Sequence, residues 1–371
     1  MKNRYLTSFI EADLKKKMVF LSGPRQSGKT TLALSLLGKQ KDRYFNWDND
    51  EHRESIMKRE LPNSKGLIVF DEIHKFSRWR NWIKGIFDTR KDDLDILVTG
   101  SAKLDYYRKG GDSLQGRYNH YRLHPLSLAE LKGNKETLLD LLKFGGFPEP
   151  YFSKSETETR KWSRQYRTRL VREEINSLEK VADITRLEEL LIRLPECVGS
   201  PLSLNALRED LQVSHEAITR WMLIFENNYA IFRIYPFGSP KIRALKKEPK
   251  HYHYDWTQIE SPGARFENLM ACHLLKWCHF IEDTQGFDME LRYFRDREKR
   301  EVDFVVLKNR KPIMFIEAKT SDSKCSFDLI YLKKKFPEVD AIQVVLNEEK
   351  DIKNEWGIRI CGATSFLKDL I

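Results

Sequence analysis

The chain has few cysteines and no long hydrophobic run. Its five cysteines, spread over 371 residues, lack the short paired spacings of a zinc site or a disulfide framework. The longest apolar runs, such as GLIVF, are far shorter than the roughly 20 residues that span a bilayer, and the N-terminus lacks a signal-peptide pattern. We therefore expect reduced, buried thiols and a cytoplasmic protein without a membrane partner.

The composition is that of a folded protein with more than one domain. Hydrophobic residues make up 40% and aromatic residues 12%, which argues against extended disorder, and 371 residues exceed one ordinary core. The 65 basic and 55 acidic residues leave a formal net charge of +10. This charge suits a phosphate-rich partner such as DNA, although many solvated surfaces are equally basic.

A glycine-bearing turn near the N-terminus predicts a phosphate-binding loop. The sequence MVFLSGPRQSGKTTLALSLL reads as an apolar strand, a turn and an amphipathic helix. Gly23 and Gly28 let the backbone bend so that successive N–H groups and the helix N-terminus face the phosphates of ATP. Lys29 would reach the β- and γ-phosphates, and Thr30 would coordinate Mg²⁺. The predicted nucleotide-binding residues are Gly23, Pro24, Arg25, Gln26, Ser27, Gly28, Lys29, Thr30 and Thr31.

Two acids follow the apolar run of GLIVFDEIHKF, which reads as a parallel strand covered on both faces. Open α/β sheets bind ligands at the carboxyl ends of their strands, so Asp71 is predicted to hold Mg²⁺ and Glu72 to polarise the attacking water. Taken alone, the two acids would equally suit the N-cap of a helix. A further strand in LDILVTGSAKL ends in Thr99 and Ser101, either of which could sense the γ-phosphate. Strands are also expected in RYFNWD and RYNHYRLHPLSLAEL.

The middle of the chain, residues 138–237, is predicted to be mostly helical from its apolar periodicity. Arginines surround the apolar face of the helix in TRKWSRQYRTRLVREEI, which suits either phosphate contact or a solvated basic face. Further on, LSLNALREDLQVSHEAITRWMLIFENNYAIFRIYPF reads as two helices, the second capped by Ser214, and a β-prone stretch. This spacing predicts a winged helix-turn-helix with residues 214–226 as recognition helix, used to bind DNA or as a lid or interaction arm.

After a basic linker, KIRALKKEPK, a hairpin in EVDFVVLKNRKPIMFIEAK carries acids within apolar strands. With a loop over residues 308–312, Leu307 lies opposite Ile313, and antiparallel pairing then sets Asp303 opposite Glu317. Opposed carboxylates repel each other, so we expect raised pKa values or a bound cation. Mg²⁺, or alternatively Mn²⁺, would suit two carboxylates together with water and phosphate oxygens.

A lysine and a further acid extend this predicted metal site. Lys319 lies on the same strand face as Glu317, where it would orient or deprotonate the attacking water or neutralise the scissile phosphate. Glu267, early on a helix predicted at residues 264–277, supplies the further acid. Alternatively, the two hairpin acids form surface salt bridges with Lys319 or Arg300.

The order of elements in the last module carries a resemblance. We predict a helix at 264–277, strands at 290–294, 302–307 and 313–318, a helix at 327–336 and a strand at 341–346. This α-β-β-β-α-β order resembles the core of the PD-(D/E)xK nucleases. Val302 stands where that motif has proline.

The motifs together resemble a family of prokaryotic predicted ATPases that join an AAA+ module to a C-terminal domain of restriction-endonuclease-like fold. The resemblance rests on GPRQSGKT, VFDEIHK, LVTGSAKL and LQGRYNHYRLHPLSLAEL, and it continues through GGFPEP and a later FEN helix. It implies that Arg117 is an arginine finger acting on ATP held by a neighbouring subunit, and hence that the protein is a homo-oligomer. The chain has Thr99 or Ser101 where many AAA+ proteins have asparagine, and it lacks a convincing second sensor arginine.

These observations predict an α/β protein of three modules. They are a P-loop AAA+ parallel-sheet domain (1–137), a helical and winged helix-turn-helix domain (138–240) and a restriction-endonuclease-like α/β domain (241–371). The predicted function is a Mg²⁺-dependent AAA+ ATPase coupled to a metal-dependent nuclease that acts on DNA. The alternative is an ATP-driven molecular switch whose C-terminal domain binds nucleic acid or protein without cleaving it.

Overall fold

The computed structural model describes residues 4–100, 114–175, 183–238, 248–321, 324–349 and 351–371. The chain divides into two units, residues 1–125 and residues 126–371. Within the described ranges, no helix combines the length and the apolar character needed to cross a membrane. The predicted division into three modules, with boundaries after residues 137 and 240, stays a prediction.

Five parallel strands form the sheet of the N-terminal unit. They are β1 (Met18–Ser22), β2 (Tyr44–Asn46), β3 (Gly66–Asp71), β4 (Leu94–Thr99) and β5 (Tyr118–Arg122), and their order in the sheet is β2-β3-β4-β1-β5. The helices of this unit are α1 (Thr7–Leu14), α2 (Lys29–Leu37), α3 (Asp50–Lys58) and α4 (Trp79–Arg90). Every residue of β1 is buried, as expected for a central strand covered on both faces. The predicted strands of this region are confirmed.

The register of the sheet brings three strand ends to one edge. Thr99 at the end of β4 pairs with Asp71 at the end of β3 and with Leu21 near the end of β1. The loop that follows β1 and the acid that ends β3 therefore share the carboxyl edge of the sheet, where ligands bind in this kind of fold.

Helices form the first part of the C-terminal unit. They are α5 (Lys135–Phe144), α6 (Pro148–Ser153), α7 (Glu156–Arg169) with a π-helical continuation over Leu170–Ile175, α8 (Ile184–Arg193), α9 (Leu204–Asp210) and α10 (His215–Asn227). The backbone N–H of Ala217 donates to Oγ of Ser214 at 3.1 Å, which confirms the predicted cap of the second helix. The two predicted helices and the strand after them are present, and the winged helix-turn-helix assignment stays a prediction.

An eight-stranded mixed sheet forms the second part of this unit. Its strands are β6 (Ile231–Pro236), β7 (Lys250–His253), β8 (Met289–Arg295), β9 (Glu301–Lys308), β10 (Lys311–Lys319), β11 (Asp340–Val345), β12 (Asp351–Lys353) and β13 (Arg359–Gly362). Their order in the sheet is β12-β13-β11-β10-β9-β8-β6-β7. Its helices are α11 (Pro262–Gln285), α12 (Phe327–Lys335) and α13 (Ala363–Lys368). Strands β8, β9 and β10 are antiparallel neighbours, and β11 is parallel to β10. The predicted α-β-β-β-α-β order is confirmed, and the nuclease-like fold inferred from it stays a prediction.

The turn between β9 and β10 differs from the predicted loop. Instead of a loop over residues 308–312, Lys308 pairs with Lys311, and the turn is formed by Asn309 and Arg310, whose φ angles are 51° and 63°. Positive φ at both central residues is the requirement of the type I′ two-residue hairpin turn. A register shift between Pro312 and Met314 then adds one residue to β10.

This register shift restores the pairing that the sequence predicts. Beyond it, Phe315 pairs with Val305 and Ile316 with Phe304. Continuing the ladder by one residue sets Glu317 opposite Asp303. The predicted loop was wrong, but the facing of the two acids follows from the observed register.

Candidate functional site

The loop after β1 has the backbone geometry of a phosphate cradle. Gly28 has φ of 100° and directly precedes α2, while Gly23 has φ of 139°. A Cβ atom on Gly23 would overlap the carbonyl oxygen of Leu123, so only glycine fits this close approach. Arg4 holds the loop from behind, since its guanidinium donates to the carbonyl oxygens of Ser27 and His124, each at 2.7 Å.

Two polar side chains at this loop are buried, those of Ser27 and Lys29. Lys29 is buried, and its ammonium donates to the carbonyl oxygens of Gly23 at 2.9 Å and Pro24 at 2.7 Å. The hydroxyl of Ser27 is buried and has no hydrogen-bond partner in the described part of the chain. Neutral carbonyl acceptors compete poorly with phosphate for an ammonium, so these two contacts can be exchanged for an anionic ligand.

The carboxylate of Asp71 collects three hydroxyl donors from neighbouring elements. Its Oδ1 accepts from Thr99 at 2.5 Å, and its Oδ2 accepts from Thr30 at 2.9 Å and from Tyr44 at 2.6 Å. Burial, and then the charge of Asp71, raise the pKa of Tyr44, which therefore stays a neutral donor. Tyr44 was missed in the sequence because a tyrosine that opens a short strand has no distinctive pattern. Thr99 contacts Asp71, and the other predicted sensor, Ser101, lies outside the described residues.

These residues fit the Mg²⁺ that accompanies ATP. Mg²⁺ prefers oxygen ligands, usually one or two carboxylates together with phosphate oxygens and water. Oγ1 of Thr30 and Oδ2 of Asp71, 2.9 Å apart at the mouth of the loop, form such a donor set. Thr30 and Asp71 would hold the ion, which would screen the charge of the phosphates.

Glu72 has an unusual backbone conformation next to this site. Its φ and ψ are 56° and 17°, a left-handed conformation that costs a non-glycine residue about 1 kcal/mol. Its N–H donates to the carbonyl oxygen of Thr99 at 2.9 Å, which fixes it beside Asp71. Its carboxylate lies 3.5 Å from Nε2 of His74 and 3.5 Å from Nζ of Lys75. Strain of this kind is found at functional sites, where the fold forces a side chain into position.

Arg117 lies at the opposite end of the sheet from the phosphate-binding loop. It directly precedes Tyr118, which pairs with Met18 at the start of β1, whereas the loop follows the end of β1. Its guanidinium forms a two-point ion pair with Asp88, with contacts of 2.8 Å and 3.2 Å, and this pair lowers the pKa of Asp88. Within the N-terminal unit, Arg117 is thus separated from the phosphate-binding loop by the length of β1.

A second group of acids surrounds one buried lysine in the C-terminal unit. Nζ of Lys250, at the start of β7, lies 2.6 Å from Oε1 of Glu301, 3.2 Å from Oε1 of Glu267 and 3.6 Å from Oδ1 of Asp303. Lys250 is fully buried. We call Glu267, Glu301, Asp303 and Glu317 the carboxylate cluster.

The hydrogen bonds around the cluster are nearly complete. Oδ2 of Asp303 accepts from the backbone N–H of Ala318 at 2.9 Å, and the hydroxyl of Tyr252 donates to Glu267 at 2.7 Å. Lys319 pairs with Oε1 of Glu317 at 2.7 Å. Oε2 of Glu317 is the exception, since it is buried and has no hydrogen-bond partner among the described residues.

The charges of the cluster are balanced by bases that belong to the chain. Burial, and then Glu267 and Glu317, raise the pKa of Asp303, while Lys250 acts in the opposite direction. Burial also raises the pKa of Glu317, against the effect of Lys319. Burial alone would lower the pKa of Lys250, but the surrounding carboxylates outweigh it, so its pKa is raised and the ammonium stays charged.

The cluster as it stands does not fit the predicted Mg²⁺ or Mn²⁺. Glu267, Asp303, Glu317 and Lys319 do converge as the sequence predicts, but the ammonium of Lys250 lies where their charges are to be neutralised. At about 4 Å and an effective dielectric constant near 20, this ammonium would repel a divalent ion by about 8 kcal/mol. Within the described ranges, no three or more His, Cys, Asp or Glu residues are arranged to hold a metal ion.

Lys250 is the principal residue that the sequence did not reveal. It is the last residue of KIRALKKEPK, which was interpreted as a basic linker, yet it begins β7, all four residues of which are buried. That interpretation was wrong for this residue, because its burial depends on carboxylates contributed by β9 and α11. The alternation of KHYHY, with tyrosines of high strand propensity, was the available signal.

A basic face on α7 is the other candidate binding surface. A shallow cleft of about 420 Å³ is lined by Lys161, Arg164, Gln165, Thr168 and Arg169. In the described part of the chain, neither Arg164 nor Arg169 pairs with a carboxylate. The arginines of this helix were predicted to contact phosphate or to form a solvated face, and both readings stay open.

Three family models match successive parts of the chain. Residues 15–132 match an AAA domain, residues 135–257 match a domain of unknown function (DUF8612), and residues 262–364 match another domain of unknown function (DUF4143). The N-terminal part is thus a P-loop module of the AAA class, a class that binds ATP. This confirms the predicted AAA+ module.

The chain is also similar to individual proteins and solved structures. Uncharacterised proteins of Mycobacterium bovis and Mycobacterium tuberculosis are each 24% identical over 322 residues, covering 83% of this chain and 72% of the relative. The branch migration motor RuvB of Thermotoga maritima has a TM-score of 0.32 at 17% identity, covering 61% of this chain and 87% of that one. The Orc1 protein of Aeropyrum pernix, solved with DNA, has a TM-score of 0.35 at 11% identity, covering 72% and 93%.

Proposed function

We propose that the protein is an ATP-hydrolysing AAA+ switch whose C-terminal unit binds DNA without cleaving it. The hydrolysis half is supported by the site around Lys29, Thr30 and Asp71. The non-cleaving half rests on one observation, the ammonium of Lys250 among the acids that a metal-dependent nuclease would need.

Each residue of the nucleotide site has a distinct part in this proposal. Lys29 exchanges its two carbonyl acceptors for phosphate oxygens of ATP. Thr30 and Asp71 hold Mg²⁺, and Thr99 fixes the carboxylate of Asp71. Glu72 accepts a proton from the attacking water, since its strained backbone sets the carboxylate beside the end of β3.

Arg117 of a neighbouring copy completes the site in the working oligomer. Its place at the far end of the sheet supports action in trans, and its ion pair with Asp88 would have to open when a neighbour's ATP binds. A guanidinium that reaches the γ-phosphate stabilises charge in the transition state.

DNA is proposed as the partner of the basic face on α7. Arg164 and Arg169 line its cleft, and the chain carries a net charge of +10. Contacts of this kind bind the phosphate backbone irrespective of sequence and weaken steeply with salt.

Two measurements test the proposal. ATP turnover is measured while DNA is titrated, and we expect DNA to stimulate it in the wild type and to have no effect in a variant with Arg164→Glu and Arg169→Glu.

Plasmid DNA is also incubated with Mg²⁺ or Mn²⁺, with and without ATP, and we expect no cutting. Cutting by the wild type that is lost in Asp303→Ala would overturn the non-cleaving half.

A metal-dependent nuclease coupled to the ATPase is the second candidate. The convergence of Glu267, Asp303, Glu317 and Lys319, in elements that follow the α-β-β-β-α-β order, favours it. In this case Lys250 would have to leave the cluster during the working cycle. Asp303→Ala would then abolish cleavage and leave ATP binding intact.

A further inference from the structure

The ammonium of Lys250 is bonded as a bound cation would be. A lysine ammonium has three N–H donors and no acceptor, and here they face Glu267, Glu301 and Asp303 at 3.2 Å, 2.6 Å and 3.6 Å. These acids come from α11 and β9, which are far apart in the sequence. The lysine thus joins carboxylates that would otherwise repel one another.

The backbone holds this lysine in place. Lys250 pairs with Ile234 of β6, and the carbonyl oxygen of the preceding Pro249 accepts from the N–H of Leu202 at 2.8 Å. The backbone of Lys250 is therefore fixed within a buried strand. Removing the ammonium from the cluster would break its contacts with Glu301 at 2.6 Å and Glu267 at 3.2 Å in a buried site.

The cluster is also covered by backbone. Gly199 has φ of 86°, and a Cβ atom there would lie 3.1 Å from Oε2 of Glu267. The chain at Gly199 therefore lies directly on one of the four acids. A hydrated divalent ion would have to displace this segment as well as the ammonium, because Mg²⁺ and Mn²⁺ carry several waters.

The count of charges is close to balance without any ion. Four acids form the cluster, and Lys250, Arg295 and Lys319 lie against it, with Arg295 2.8 Å from Glu301. Without Lys250, four acids would face two bases, and the buried Oε2 of Glu317, which has no hydrogen-bond partner in the described ranges, would be a ready ligand.

We infer that Lys250 is the resident counter-ion of the carboxylate cluster and excludes divalent cations from it. Replacing Lys250 with an uncharged residue converts the cluster into a divalent-metal site. This inference deepens the non-cleaving half of the proposed function and is independent of ATP turnover.

The test compares Lys250→Met with the wild type in the absence of nucleotide. The melting temperature of Lys250→Met in EDTA should fall by about 10 °C, since one partner of a buried ion pair is gone. Addition of Mn²⁺ should restore most of this loss. Electron paramagnetic resonance should detect one bound Mn²⁺ per chain. The wild type should show neither effect.

Two variants locate the ion. Lys276→Met removes another buried ammonium, which lies 2.7 Å from Glu130, and it should lower the melting temperature without any recovery on adding Mn²⁺. Adding Asp303→Asn to Lys250→Met should abolish the recovery. A folded Lys250→Met that binds no Mn²⁺ would overturn the inference.

The wild type decides the question if Lys250→Met does not fold. Mn²⁺ binding to the wild type that disappears in Asp303→Asn would show that the ammonium does not exclude the ion. Equal Mn²⁺ binding by the wild type and Asp303→Asn supports the inference. ATP turnover of the wild type, measured in parallel, tests the proposed function separately.

Discussion

Lys29 and Lys250 are both buried, but their ammonium groups have different acceptors. We call the surroundings of Lys29 the exchangeable site and the carboxylate cluster around Lys250 the closed site. Lys29 donates to two neutral carbonyl oxygens of its own loop, while Lys250 lies among three carboxylates of other elements. An ammonium on carbonyls can turn to a phosphate, whereas one among carboxylates gains nothing by leaving. In the proposed function, the same type of side chain therefore serves ligand binding in one unit and internal neutralisation in the other.

The largest expected effect is on ATP turnover through Lys29. Lys29→Ala should lower turnover by about 10³-fold, because a donor to the transferring phosphate is lost. Lys39→Ala, a change at an exposed lysine just after α2, should leave turnover unchanged. A phosphate-release assay measures the turnover of both variants. Near-normal turnover in Lys29→Ala would contradict the proposed role of Lys29 as a donor to the phosphates of ATP.

Asp71 at the end of β3 and Asp303 within β9 should differ almost as much in their effect on ATP turnover. Asp71→Asn should lower ATP turnover by about 10²-fold, since the Mg²⁺ ligand loses its charge. Asp303→Asn should change it by less than about twofold, because Asp303 lies 3.6 Å from Lys250 and belongs to the C-terminal unit, outside the AAA module. The same assay measures both, and an equal loss in the two variants would mean that the carboxylate cluster takes part in ATP turnover.

Substitution of Lys250 should lower the free energy of unfolding more than substitution of Lys29, the reverse of the order expected for ATP turnover. Lys250→Met leaves buried carboxylates without a counter-ion and should cost about 3–5 kcal/mol in the free energy of unfolding. Lys29→Met removes hydrogen bonds to carbonyls and should cost less than about 2 kcal/mol. Urea unfolding followed by circular dichroism gives both values, and a larger cost for Lys29→Met would contradict the comparison.

Much of the exchangeable site could be predicted from local sequence. The glycines at 23 and 28, the lysine and threonine after them and the acid that ends β3 lie within short motifs, so spacing alone located them. The contribution of Tyr44 to Asp71 could not be predicted, because it depends on how β2 pairs with β3.

The closed site shows where local sequence is insufficient. The sequence did not reveal the turn at Asn309 and Arg310. Asp303 and Glu317 were nevertheless placed opposite each other correctly, because the register shift near Pro312 compensates for the shorter turn. Nothing in the local sequence identified Glu301, the first residue of β9, as the partner of a lysine.

Lys250 could not be recognised because a lysine is rarely buried unless it is paired. Its partners lie 17 to 53 residues further along the chain. Only the assembled sheet brings them together.

The smallest expected effect concerns the pH dependence of stability at the closed site. Burial and neighbouring acids raise the pKa of Asp303 above its ordinary value of 3.8, so its ionised form is disfavoured in the folded state. The stability of the wild type relative to Asp303→Asn is therefore fully present below pH 3.8 and is lost as the pH rises through the raised pKa. The melting temperature of Asp303→Asn should gain on that of the wild type between pH 5 and pH 8.

Asp351→Asn is the matched control for this titration. Arg359 lowers the pKa of Asp351 by a hydrogen bond, so this exposed carboxylate is ionised throughout the same pH range. The difference between its melting temperature and that of the wild type should stay constant from pH 5 to pH 8, since its contribution is lost only as the pH falls below 3.8. If the difference in melting temperature between Asp303→Asn and the wild type were also independent of pH, Lys250 would neutralise the charge of Asp303 completely. The pairing of Lys250 with Asp303 would then be stronger than the raised pKa of Asp303 implies.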